Sequence, residues 1–318
     1  MFNIIKNSKK WVTLSIGLLV LSVVLFLFNL SFSIQFTGGL EIVVPKVTDT
    51  KSLENDLNTF LLDNNYKDTR LYIGEKDGNT NILFQPKSSD DEFVMTLSEL
   101  AVEHLEESEV IKSVDDVMET TIIGASIGNY MKQSAMRSLA IGLLFMAIYI
   151  LFAFSGMRKI VPPLTLAGVV IFTTLFDIGL PAGAYGLLMY FNPSVQIDSV
   201  FIIALLTIMG YSINDTIIIF DRLRENINLH EGSLNTGKMR YSEVFESSLW
   251  QSMRRSIGTS LSTLLVVVAM FIFGTGILKT FAFTLGVGVA AGTFSSIFLA
   301  TPLIYLLSQN YKKENKSK

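Results

Sequence analysis

Apolar residues in this chain come in long unbroken blocks, and that pattern sets the architecture before any motif is considered. The first block runs from Trp11 to about Leu30, roughly the 20 residues a bilayer-spanning helix needs, and it follows Lys6, Lys9 and Lys10. It exceeds the apolar core of a signal peptide and ends at Asn29, Ser31 and Ser33 without a small-x-small cleavage site, so it reads as a retained span. Further blocks at about 137–156, 161–190, 197–220, 257–278 and 281–307 complete six predicted transmembrane helices, the last five forming a region over 133–309.

Between the first two blocks, residues 31–132 are polar and patterned for an α+β module. Leu40 to Lys46 is a β-branched run, and after the candidate caps Thr48 and Asp49, Leu53, Leu57, Phe60 and Leu61 recur at helical spacing. Two strands, Arg70–Gly74 and Asn79–Gln85, flank a turn containing Asp77-Gly78. A second helix over about Asp90 to Glu107 carries Phe93, Leu97, Leu100, Ala101 and His104 on one stripe, and Val110 to Thr120 reads as the last strand. The order βαββαβ predicts a ferredoxin-like fold for this segment.

Charge orients the spans. Lys and Arg sit on the N-terminal tail (1–10), at Arg158 and Lys159, throughout the loop 222–256 (Arg222, Arg224, Lys238, Arg240, Arg254, Arg255) and on the C-terminal tail 310–318 (Lys312, Lys313, Lys316, Lys318). The connection at Phe191, Asn192 and Pro193 has none, and the turn between the fifth and sixth spans has only Lys279. The positive-inside rule then places both termini in the cytoplasm and the α+β module outside it.

Composition narrows the chemistry. A hydrophobic fraction of 50%, a charged fraction of 17% and a mean hydropathy of +0.46 argue against a soluble enzyme. Cysteine is absent and the two histidines, His104 and His230, are far apart, which excludes thiolate zinc, a Cys nucleophile and disulfides. No Walker loop or metal-ligand spacing is present, and the two isolated histidines assemble no Ser/His/Asp combination, so no enzyme, metal or cofactor is expected. The net charge of -3 does not point to nucleic acid, and the module's 19 Asp and Glu against 8 Lys and Arg over residues 31–136 read as a solvated face. His104, with no second ligand near it in sequence, reads as a satisfied histidine.

The charges that matter interrupt apolar blocks. An ionised Asp at mid-bilayer costs about 2.5–3.5 kcal/mol on insertion scales, so such residues face the bundle interior and are functional candidates. Asp177 and Asp215 are deep; Asp198 begins its span and reads as an interfacial or capping residue, and Asp221 ends the same span within reach of water. At helical spacing Tyr211, Ser212 and Ile219 share a side with Asp215, which suits either a proton carrier or a helix-joining polar pair. A cationic partner could come from Arg254 or Arg255, but adjacent positions point about 100° apart on a helix and only one can face inward.

Gly210-Tyr211-Ser212-Ile213-Asn214-Asp215-Thr216 with Phe220-Asp221-Arg222 resembles the fourth-span signature of the SecF family, protein-export membrane subunits that work with SecD. Phe36-Thr37-Gly38-Gly39 after the first span, and Gly292 with Ser295 and Ser296 in the last, are similar to that family's other motifs. The resemblance implies a member of the resistance-nodulation-division superfamily in a bacterial inner membrane. It also implies a heterodimer with SecD that acts on the SecYEG channel, with further insertion factors as candidate partners. The pair would use the proton gradient to help draw an unfolded, translocating chain outward, with protons as the coupling ion. By motif, Asp215 would be the relay carboxylate and Arg255 its basic partner. Asp177 stands where the family has an Asp that usually follows His, but Phe176 precedes it here. Gln35 stands where Asp is usual before Phe-Thr-Gly-Gly, and Ala125 where Pro is usual. The alternative expectation is half of a small-molecule exporter of the same superfamily, which would need an aromatic-rich pocket in the outer module.

Overall fold

The computed structural model describes residues 3–76, 78–87, 91–154, 161–192 and 194–316. Asp77, Asp90, Arg158, Lys159, Pro193 and Lys318, named above, lie outside the described residues. In chain order the elements are α1 (Ser8–Phe28, entered through a 3-10 turn over Ile5–Asn7), α2 (Ile34–Thr37), β1 (Gly39–Val44), α3 (Thr50–Asp63), β2 (Thr69–Lys76), β3 (Asn79–Pro86), α4 (Asp91–Glu107) and β4 (Glu119–Ile123). There follow α5 (Ala125–Ala153), α6 (Pro163–Phe191), α7 (Ser199–Leu229), α8 (Glu231–Asn235), α9 (Tyr241–Phe273), α10 (Gly276–Ser295), a π-helical turn (Ser296–Ala300) and α11 (Thr301–Lys316). Among the described residues six helical stretches are long and apolar enough to cross a bilayer, the last running Gly276–Gln309 through the π turn.

Most helices outrun the apolar blocks that predicted them. α7 continues to Leu229 and α9 begins at Tyr241, so the expected loop over 222–256 is largely helical, and Arg254 and Arg255 sit about four turns into α9 instead of at its start. The turn before the last span falls at Gly274 and Thr275, where the Gly274 N–H closes α9 on the Met270 carbonyl at 2.8 Å, and Lys279 lies inside α10. The first span also starts early. Ile4 and Ile5 are buried, and their N–H groups donate to the two oxygens of Glu246 on α9 at 3.1 and 2.8 Å. The expected polar tail 1–10 is therefore docked at Ile4 and Ile5.

The chain forms two compact units. One comprises Met1–Phe28, Leu139–Leu187 and Ile203–Lys318. Its core joins Met146, Ile150, Val170, Phe220, Phe245 and Ile304 from five helices. Within it α1 meets α6 through small residues: a Cβ on Gly183 would fall 2.5 Å from Ser22 Cα, and one on Gly186 2.7 Å from the Leu25 carbonyl oxygen. Side chains that small let two backbones close and gain dispersion contacts that lipid tails would otherwise supply.

The other unit comprises Asn29–Ser138 and Leu188–Ile202. Its sheet has the order β2-β3-β1-β4 with every neighbouring pair antiparallel, the arrangement a βαββαβ chain takes when each helix crosses over one strand. Leu40, Ile42, Ile82 and Phe84 on the sheet bury against Leu53 and Leu57 of α3 and Val94, Leu97 and Ala101 of α4. The last strand is shifted from its predicted place. Residues 110–118 hold a 3-10 turn over Val114–Asp116, because Asp116 turns its carboxylate back to the Lys112 N–H at 2.8 Å, and pairing with β1 begins only at Glu119. His104 is satisfied, as expected: its Nε2 lies 2.9 Å from Asp56 Oδ2 across the two helices, and its ring stacks on Phe60 at 4.6 Å.

The Phe36-Thr37-Gly38-Gly39 motif makes the sharp bend into β1. Gly38 and Gly39 adopt φ of +79° and +142°, and a Cβ on Gly39 would lie 2.4 Å from the Phe84 carbonyl oxygen, so only glycine fits. Phe36 is buried beside them, and Thr37 Oγ1 donates to the Ser33 carbonyl at 3.1 Å. Gln35, the departure from the family pattern, accepts the Ser199 N–H at 3.0 Å at the start of α7.

The α1–α6 contact gives the first prediction. Gly183→Ala forces the two backbones apart and should destabilise the detergent-solubilised chain by about 1–3 kcal/mol, read as a lowered thermal midpoint. Gly17→Ala, on α1 with no neighbour within 4 Å, should not lower that midpoint.

Candidate functional site: buried carboxylates in the helical unit

Asp177 on α6 and Asp215 on α7 are almost completely buried, at 0% and 1% exposure, near enough for their charges to interact. α7 sets the geometry. Ser212 and Asp215 are one turn apart on it, and the Ser212 hydroxyl donates to Asp177 Oδ2 on α6. Asp215 Oδ2 accepts from the Ser260 hydroxyl of α9 at 3.2 Å, and Ser260 in turn accepts from Thr293 Oγ1 of α10 at 2.6 Å. A line of polar groups thus crosses four helices, from Asp177 through Ser212 and Asp215 to Ser260 and Thr293.

The line is incompletely satisfied. Among the described residues Asp177 Oδ1, Asp215 Oδ1, Tyr211 Oη and Ser256 Oγ are buried and have no hydrogen-bond partner. Unpartnered polar atoms are rare in protein interiors, so each of these calls for a physical reason. Hydroxyls can donate or accept with a bond rotation, so Ser256 and Ser260, both beside Asp215, can serve that carboxyl with or without its proton. Among the described residues no three His, Asp or Glu side chains gather as a metal site.

The expected basic partner is elsewhere. Arg254 and Arg255 are both exposed, and Arg255 makes no ion pair among the described residues; the face of α9 turned inward at this level carries Ser252, Ser256 and Ser260 instead. Sequence reasoning missed these hydroxyls, although Ser248, Ser252, Ser256 and Ser260 recur every four residues and all four are buried. Such a period marks one side of a helix as surely as an apolar stripe does.

The remaining motif residues divide by role. Gly292 faces Ser212, where a Cβ would lie 3.1 Å from the serine Cβ, and Gly288 faces Ile208, so glycines bring α10 against α7. Ser295 and Ser296 enter the π turn and donate to the carbonyls of Gly292 and Thr293 at 3.1 and 3.0 Å. Gly210 and Asn214 look the other way, into a cleft of about 530 Å³ that Phe145, Met146 and Tyr149 of α5 also line. At the charged end of α7, Asp221 pairs with Arg224 at 2.5 Å and Arg222 with Glu225 at 2.5 Å, exposed contacts worth little individually. Asp198 caps α7 by accepting the Phe201 N–H at 2.8 Å.

Residues 105–310 match the family model described as protein export membrane protein SecD/SecF, C-terminal. The protein translocase subunit SecF of Sebaldella termitidis is 34% identical over 295 residues, 91% of this chain and 85% of that one. The protein translocase subunit SecF of Acidaminococcus fermentans is 28% identical over 318 residues, 98% of this chain and 99% of its own. The crystal structure of SecDF, a translocon-associated membrane protein from Thermus, superposes with a TM-score of 0.75 at 27% identity; the match covers 98% of this chain and 39% of that longer one.

The Ser212–Asp177 bond can be weighed by a double-mutant cycle. Ser212→Ala removes the donor to Asp177 Oδ2 and should cost about 1–3 kcal/mol in thermal or denaturant unfolding. Combined with Asp177→Ala, the two losses should fall short of their sum.

Proposed function

The chain belongs to the SecD/SecF family of protein-export membrane proteins, on the SecF side, and from that premise we propose that it couples proton movement to the late export of secreted chains. It is a multi-pass membrane protein and a protein-translocase subunit by family. The proposal adds a bacterial inner membrane, both termini in the cytoplasm and the α+β module on the far side, as the Lys and Arg distribution favours. A SecD-type half is its proposed partner, supported by the SecDF relative of Thermus, whose name joins both parts and of which this chain spans about two fifths. SecYEG would deliver the translocating chain.

The observation that carries the mechanism is the hydroxyl-lined pair of buried carboxylates, Asp177 and Asp215, with an unpartnered oxygen on each. A proton arriving at Asp215 removes a charge from the centre of the unit and turns an acceptor into a donor, for which the bare Ser256 oxygen is a ready partner. Losing that proton restores a like charge beside Asp177, so the two forms favour different hydroxyl and helix arrangements. A potential of 100 mV contributes about 2.3 kcal/mol per charge, enough for one proton to bias two states by well over tenfold. Arg255 acts, in this reading, in a state other than the one described, or from the surface. The exporter alternative needs aromatic groups free for a ligand, whereas Phe60, Phe84 and the Tyr66–Phe93 pair are taken up by the packing of the outer module.

Asp215→Asn keeps the shape and removes the charge. In membrane vesicles holding the SecD pair and SecYEG, it should abolish the stimulation of late translocation by a proton gradient while leaving ATP-driven initiation intact. Undiminished gradient stimulation in that variant would sink the relay.

A further inference from the structure

At the end of the helical unit where the Lys and Arg residues collect, the start of the first span, α9 and α11 enclose a cleft of about 1070 Å³. Its rim carries Lys6, Lys9 and Lys10, which fall at i, i+3 and i+4 on one helical face, and Arg240 at the head of α9. The two carboxylates that also line it are already engaged. Glu246 accepts the Ile4 and Ile5 N–H groups and the Trp250 indole at 3.0 Å, and Glu243 accepts the Arg240 N–H at 3.1 Å. Among the described residues none of the four cations lies within ion-pair distance of an acidic group, so the lining sets four cations against two carboxylates and carries a surplus of two positive charges at one opening.

The walls are of another kind. Trp250, Tyr305 and Leu306 line the cleft beneath the cations, and amphipathic rings at this level are characteristic of the headgroup layer of a bilayer. We propose that the cleft is a phosphate-binding site whose ligand is the headgroup of an anionic phospholipid. The cations take the phosphate, the rings and Leu306 take the glycerol and the first methylenes, and the clipped start of the first span forms one wall. Free phosphate would use the same cations but would gain nothing from the apolar wall.

The test uses the full chain, whose two tryptophans are Trp11 and Trp250. With Trp11→Phe, emission reports Trp250 alone. In phosphatidylcholine vesicles, a few mole per cent of phosphatidylglycerol brominated near the glycerol should quench Trp250 beyond an equal amount of brominated phosphatidylcholine. Lys6→Gln and Arg240→Gln should each weaken that excess by about fivefold, Arg240→Lys should retain it, and Lys238→Gln, which removes a charge from the same loop outside the cleft, should leave it unchanged. The retained Arg240→Lys signal separates loss of binding from loss of fold. Equal quenching by both lipids, or an equal loss in Lys238→Gln, overturns the site. Reversal of the quenching by millimolar inorganic phosphate overturns the lipid as its ligand.

Discussion

A carboxylate in a hydrocarbon layer persists only if polar atoms reach it from neighbouring helices, and the six-helix unit is arranged around that requirement. Asp215 is served by Ser260 and Asp177 by Ser212, short side chains with little reach. The helices must therefore lie close, and closeness is supplied by glycine: Gly288 against Ile208 and Gly292 against Ser212. A larger residue at either position would lift α10 from α7. Thr293, one residue beyond Gly292, would lose its 2.6 Å bond to Ser260, and the polar line would break where it leaves Asp215. Packing and chemistry here are the same constraint seen from two sides.

The first span is held by a comparable logic at two heights. Small residues join it to α6, and Glu246 satisfies backbone N–H groups at its start that no residue within the helix can reach. An anion at that position also complements the helix dipole. Further along, Trp11 packs on Phe298 at 4.4 Å, within the π turn. A π turn leaves a backbone group short of its usual partner, and the Thr301 hydroxyl donating to the Ser296 carbonyl at 2.9 Å makes good part of that loss.

The spans were legible because twenty apolar residues in a row have one economical fate, and the βαββαβ order was legible because two distinct periodicities alternate in it. What sequence hid has particular causes. The last strand moved because Asp115 and Asp116 interrupt an otherwise plausible run with turn chemistry. The partner that satisfies His104 was not readable because Asp56 is 48 positions away, and pairs across helices leave no local trace. Helix ends were misplaced where polar residues extend a helix past the membrane, since hydropathy reports burial in lipid and not backbone geometry. The serine stripe on α9 is readable from its period of four, but serine is common on both faces of a helix, whereas Arg254 and Arg255 stand out by charge.

That difference between serine and arginine bears on what the site can do. A guanidinium never gives up its proton and has no acceptor, so a fixed contact would favour the charged carboxylate in every state. Hydroxyls carry no such bias: each can donate to a carboxylate or accept from a carboxylic acid by turning about one bond. With Ser256 and Ser260 on one side of Asp215 and Ser212 bridging to Asp177, both protonation states can be accommodated without moving a charge through the bundle. The proposed reversible occupancy by a proton needs that even-handedness. The exposed Arg255 leaves it intact in the conformation described, and hydroxyls one helical turn apart provide it at short range.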